Sequence, residues 1–217
     1  MKKRIFVISG LGADHTVFGQ LSLPGYELVH VQWVETIKGE SLAEYATRLL
    51  PQITEKKPIV MGLSLGGMLA LEVSKQIPTE KVISLSSATC YRELPFRYKV
   101  ARVLRLHKIL PVHWFAKGNR FTNWLFGAKK QRDKEILKGV FDRLDQKFLY
   151  WALNAVLNWK NTHLPANMYR IHGTADLILP TDHKARYDHL ISGGTHLMLM
   201  DQPEEVGDAI LAVLQRH

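Results

Sequence analysis

Gly62-Leu63-Ser64-Leu65-Gly66 is the stretch of this 217-residue chain best placed to do chemistry. A serine hydroxyl is a weak nucleophile until a base takes its proton and the backbone presents it in the open. Before it stands Pro58-Ile59-Val60-Met61, a short apolar run that reads as a buried strand. After it comes Leu65-Gly66-Gly67-Met68-Leu69-Ala70-Leu71, rich in helix formers. A serine at a sharp turn from strand to helix is the setting that a G-x-S-x-G pattern requires. Gly62 and Gly66 supply the room such a turn needs, because neighbouring chain passes close to a strained nucleophile. The helix start adds free N–H groups and a partial positive field beside the reacting oxygen.

The elements that must position this serine can be read along the chain. Apolar runs predict strands at 4–9, 28–33, 59–63, 81–86, 168–172 and 186–191. Ser41 with Glu44 three residues on is a capping box for a helix to about residue 50. A helix is expected from 65 to about 76, and Pro203 opens a last one to about 215, proline suiting the first helical turn. A long helical region, roughly 91–163, interrupts the alternation. Strands alternating with helices place the chain in the α/β class, with a mostly parallel sheet of about six strands covered on both faces.

Composition limits the functions available. Hydrophobic residues make up 46% and charged residues 23%, ordinary for a soluble globular protein. No apolar run approaches the roughly 20 residues of a membrane span, so no integral membrane association is expected. Met1-Lys2-Lys3-Arg4 before Ile5-Phe6-Val7-Ile8 resembles the start of a signal peptide. No cleavage site follows, and the run is read as the first strand. Cys90, the single cysteine, fits a reducing compartment, and a cytoplasmic location is expected. The net charge of +9 is unevenly spread: residues 91–170 hold 17 Lys and Arg against 5 Asp and Glu. No nucleic-acid recognition module, dinucleotide fingerprint or Walker loop accompanies that charge. His183 and His189 lack ligand spacing, so neither a metal nor an organic cofactor is expected.

This order of parts resembles the α/β-hydrolase superfamily over nearly the whole chain. The matched features are the Gly62–Gly66 turn, the His172-Gly173-Thr174-Ala175-Asp176 turn and the Gly194-Thr195-His196 turn. The fold carries a serine, an acid and a histidine in that chain order. The resemblance therefore implies Ser64, Asp176 and His196, the last two in loops just past predicted strands. It also implies an oxyanion hole from two backbone N–H groups. One belongs to Leu65, after the nucleophile. The other belongs to Leu11, in Ser9-Gly10-Leu11-Gly12, where Ser9 replaces the usual histidine. Glu93 is a reserve acid, since some relatives place the acid after the fourth strand. His172 either shapes the acid loop or packs.

In such a fold the inserted segment, 91–165, is implied to be a helical cap within a single 1–217 domain. Trp114, Trp124, Trp151 and Trp159 are among its aromatics, and Asp145 can cap a helix over 146–159. Leu149, Ala152, Leu153 and Val156 fall on one face of that helix, read mainly as holding the cap to the core. Arg102 and Arg105 alternate with apolar residues. They suit an anionic substrate or a membrane surface on one reading and a solvated helix face on the other. The function implied is a serine hydrolase acting on an ester or thioester of a small to medium acyl group. Carbon–carbon bond hydrolysis or a lyase reaction on the same three residues is the nearest alternative, and a non-catalytic ligand-binding protein the next. Serine at the turn argues against dehalogenases and epoxide hydrolases of this superfamily, which use aspartate there. Leu197 argues against plant-type hydroxynitrile lyases, where lysine follows the histidine.

Overall fold

The computed structural model describes residues 2–11, 13–96, 98 and 119–216. Gly12, Trp114 and the Arg102 and Arg105 stretch lie outside them. Six strands form one sheet: β1 (Lys3–Ile8), β2 (Tyr26–His30), β3 (Ile59–Leu63), β4 (Lys81–Leu85), β5 (Met168–Gly173) and β6 (His189–Ile191). Their order is β2-β1-β3-β4-β5-β6, and every pairing is parallel. A parallel sheet is covered on both faces, so its central strands can be apolar at every position. β3 and β4 are accordingly buried at all five residues each.

Period-two alternation divides the core between the faces. Ile5, Val7, Met61, Leu63, Ile83 and Ile171 point to one side, where α7 (Pro203–Leu214) packs with Val206, Ile210 and Val213. Phe6, Ile8, Val60 and Val82 point to the other, against α1 (Leu42–Leu49) and α2 (Leu65–Ser74). Each fully buried Leu, Ile or Val contributes about 1.5–3 kcal/mol relative to exposure. The Ser41 capping box forms in both directions, with Glu44 Oε2 accepting from the Ser41 N–H at 2.7 Å. β2 and β6 differ from expectation. β2 pairs with β1 two residues earlier, beginning at Tyr26, and β6 is only three residues long. Both are edge strands with a single neighbour, so less of their sequence is fixed by burial.

Between β4 and β5 the chain forms α3 (Arg120–Phe126), α4 (Gln131–Arg143) and α5 (Gln146–Asn158). Asp145 caps α5, accepting from the Lys147 N–H. Two indoles fasten this insertion to the sheet domain. Trp151 Nε1–H donates to the Glu40 carbonyl at 3.0 Å, and Trp159 Nε1–H to Glu72 Oε1 at 2.7 Å. Trp124 is instead exposed. A four-residue helix, α6 (Met198–Asp201), precedes α7. Among the described residues no helix is long and apolar enough to cross a membrane.

Candidate active site

Ser64 sits between β3 and α2 with φ 54° and ψ −118°. A non-glycine residue at positive φ is strained and persists only where its surroundings impose it. Two anchors impose it here: the Ser64 N–H donates to the Leu85 carbonyl at 2.9 Å, and the Ser87 hydroxyl donates to the Ser64 carbonyl at 2.6 Å. The turn closes only because its flanks lack side chains. A Cβ on Gly62 would lie 2.0 Å from the Gly66 oxygen, and one on Gly66 would lie 2.1 Å from the Ile8 oxygen.

His196 and Asp176 come to Ser64 from loops after β6 and β5. His196 Nε2 is 3.0 Å from Ser64 Oγ, and Nδ1 is 2.7 Å from Asp176 Oδ2. An ionised carboxylate only accepts, so Nδ1 carries the proton and Nε2 is free to accept from the serine. His196 and Asp176 are each 3% exposed. Burial opposes the Asp176 charge. The adjacent His196, hydrogen bonds from His172 and His196 and the Leu179 N–H outweigh it, and the carboxyl is held well below the usual range. The Ile178 and Leu179 N–H groups both donate to its Oδ1, at 2.8 and 2.9 Å.

Leu65 is the first residue of α2, so no helical carbonyl takes its N–H. Leu11 lies in the loop after β1; Gly10 beside it approaches Ser64 so closely that an added Cβ would contact Ser64 Cβ at 3.7 Å. Among the described residues neither amide meets a backbone acceptor. The loop is gathered on the Ala13 carbonyl, which accepts from the Ser9 hydroxyl and, at 2.9 Å, from Trp33 Nε1–H. Glu93, the reserve acid, is engaged elsewhere. Its carboxylate takes both guanidinium arms of Arg170, at 2.9 and 3.0 Å, and the Thr89 N–H at 2.8 Å.

The structure adds contacts that spacing could not reveal. Phe126, at the end of α3, meets the His196 ring edge-on at 5.7 Å. Gly127 follows in the left-handed conformation, φ 82°, and lies so close to Thr195 that a Cβ there would come within 2.2 Å of Thr195 Cβ. Thr195 also donates its hydroxyl to Asp201 and accepts the Leu197 N–H at 3.2 Å. Glycine after a helix was a visible signal of the turn at 127, but its neighbour is 68 residues away in sequence. Ser64 and His196 open into a cavity of about 280 Å³. Val17 and Leu65 wall it from the sheet domain, Phe126, Val140 and Phe141 from α3 and α4, and Leu153 from α5. Of its described lining only Ser64, His196 and Tyr98 carry polar side-chain oxygen or nitrogen. Leu149, Ala152, Leu153 and Val156 all line it, so the face of α5 read as holding the insertion down is also a cavity wall. An apolar helix face has the same pattern whether it meets core or cavity.

A family model described as the alpha/beta hydrolase family matches residues 5–209. Comparison with curated proteins finds no match. Among solved structures, the chain is similar to a thermophilic esterase from Thermogutta terrifontis, with 17% identity, a TM-score of 0.71, and 99% of this chain and 90% of that one covered. It is also similar to a lipase-esterase related protein from Clostridium acetobutylicum, with 18% identity, a TM-score of 0.66, and 97% and 94% covered. A third is 2-hydroxy-6-oxo-6-phenylhexa-2,4-dienoate hydrolase from Rhodococcus, at 16% identity, a TM-score of 0.64, and 99% and 91% covered. At these identities the likeness is one of fold.

Proposed function

The chain belongs to the alpha/beta hydrolase family, and from that premise we propose that it is a serine hydrolase cleaving esters or thioesters with an apolar acyl group of small to medium size. The observation that carries this reading is the unbroken hydrogen-bonded line from Ser64 through His196 to Asp176, opening into an apolar cavity. His196 Nε2 takes the Ser64 proton as Oγ attacks the acyl carbonyl carbon. Asp176 holds the ring in the needed tautomer and stabilises the imidazolium that forms. The Leu11 and Leu65 N–H groups receive the oxyanion, each contributing about 3 kcal/mol. The imidazolium then protonates the departing alkoxide or thiolate. Water then attacks the acyl carbon as His196 takes its proton, and His196 returns that proton to Ser64 Oγ as the bond to the acid breaks.

The inserted helices act as a cap, setting the acyl length that fits beside Phe126 and Leu153. At about 280 Å³ the cavity lies just below the roughly 300–1,000 Å³ usual for ligand sites. The single cysteine fits a reducing, cytoplasmic location. A fluorophosphonate probe should label Ser64, and Ser64→Ala should abolish labelling and lower turnover of the preferred ester about 10⁶-fold. The substrate panel holds esters, thioesters and a carbon–carbon cleavage substrate, and pairs a neutral with an anionic ester at low and high salt. Unchanged hydrolysis by folded Ser64→Ala would overturn the assignment. A salt-sensitive preference for the anionic ester would add the basic segment to the substrate site.

A further inference from the structure

We propose that His172 is a positioning residue for the acid–base pair: its Nε2–H fixes the Asp176 carboxylate and tempers the hold of that carboxylate on His196. The proposal rests on the roles given above to Ser64, Asp176 and His196. His172 is on β5, 3% exposed, four residues before Asp176. Its Nε2 lies 2.7 Å from the Leu179 carbonyl oxygen and 3.3 Å from Asp176 Oδ2. A carbonyl can only accept, so Nε2 carries the proton in neutral His172; that N–H donates to Leu179, with Asp176 Oδ2 close beside it.

The Asp176 carboxylate is then surrounded by N–H groups on both oxygens. Ile178 and Leu179 N–H donate to Oδ1 and His196 Nδ1–H donates to Oδ2, beside which His172 Nε2–H lies at 3.3 Å. A carboxylate offers about four acceptor positions; three hold hydrogen bonds and His172 Nε2–H lies nearest the fourth. Because both imidazole N–H groups approach Oδ2, the positive end of the His172 N–H makes that oxygen less basic towards His196. The other charged or titratable groups facing this assembly are few. Tyr187 meets the His172 ring edge-on at 5.3 Å, and the Arg170–Glu93 pair lies behind Tyr187, with the guanidinium 4.5 Å from that ring. Asp201 sits on the far side, bonded to Thr195.

A histidine that only packs, or only ties down the Leu179 carbonyl, would leave the titration of His196 alone. One that shares Oδ2 would not. His172→Met removes the donor while filling the space. Its expected effect is a rise of about half a pH unit or more in the acid limb of kcat/KM, because His196 faces a more basic carboxylate. Turnover should fall roughly tenfold, the scale of one lost hydrogen bond to a charged group. His172→Gln, whose amide can donate from nearly the Nε2 position, should restore the limb. A folded His172→Met protein with an unmoved acid limb overturns the proposal. Imidazole ¹⁵N spectra of the wild type cover the case in which that variant does not fold. They should show the Nε2–H tautomer at His172, and an Nδ1–H tautomer overturns the proposal. Hydrolysis by Ser64→Ala would instead reject the underlying assignment, whatever His172 does.

Discussion

Replacing Gly66 with alanine isolates the geometry of the nucleophile turn. In most helices such a change stabilises by up to about 1 kcal/mol. Here the new Cβ would sit 2.1 Å from the Ile8 oxygen and 2.4 Å from the Ser9 oxygen. Both are backbone atoms at the end of a central strand, so no side chain can rotate away. Reaching the 3.4 Å of ordinary contact requires α2 and β1 to part by about 1.3 Å. Overpacking of this kind costs about 1–3 kcal/mol or more, so the net sign is destabilising. The parting opens the gap between Ser64 and the loop that carries Leu11. A misplacement near 1 Å can cost about 10²-fold in rate. Gly66→Ala should therefore lose about 2 kcal/mol in urea denaturation and at least about 100-fold in kcat/KM on the preferred ester. Gly10→Ala is the control, since its Cβ would meet nothing nearer than 3.7 Å. Its stability should stay within about 0.5 kcal/mol of wild type. Gly66→Ala with wild-type midpoint and rate would refute the close-packing account.

Asp176→Asn should keep the fold and lower kcat about 10⁴-fold, by favouring the wrong imidazole tautomer. The Asp176 pKa is lowered on folding, so its contribution to stability is present above the unfolded value near 4 and is lost as pH falls below it. Denaturation midpoints between about pH 4 and 2 should accordingly slope less in the variant than in wild type. Burial pushes the Tyr45 hydroxyl up to about 12 while the Val34 backbone bonds it in both directions, at 2.8 and 2.9 Å. A raised value stabilises below the unfolded pKa near 10 and is lost as pH rises towards 12. Tyr45→Phe should cost about 1–3 kcal/mol at neutral pH and flatten the alkaline decline in thermal melts. Glu93→Gln leaves Arg170 unpaired in the interior and should cost about 3 kcal/mol with kcat of the folded protein unchanged. A loss of turnover matching that of Asp176→Asn would move the acid to Glu93.

The central strands were legible because a parallel sheet buries both faces, and runs such as Ile59–Leu63 have no other stable place. The edges were not, since half of β2 and β6 answers to solvent and loop geometry rather than to the core. Gly62 and Gly66 could be read as close-approach positions from the pattern around Ser64 alone, and the distances to Gly66 and Ile8 agree. His172 was visible as a residue of the acid turn, yet packing and positioning look identical until its distances to Leu179 and Asp176 are known. Phe126 gave no sign of meeting the site, and Thr195 was visible only as a member of the His196 turn. Phe126 meets His196, and Gly127 meets Thr195, through tertiary packing between segments with no shared periodicity, and the α5 face read as core gave no sign that it lines a cavity as well.

Gly127 and Phe126 make the inserted helices more than a removable roof. Their footing is the loop that carries His196, with a contact at Gly127 too close for any side chain. On the proposed function, transplanting an insertion from a relative to alter acyl preference would therefore exchange part of the footing of His196 along with the cavity wall. Grafts joined between α3 and α4 on the far side of Gly127 should leave reactivity intact while changing selectivity. Grafts that replace residues 126 and 127 should lose both, even when the new pocket has the right shape.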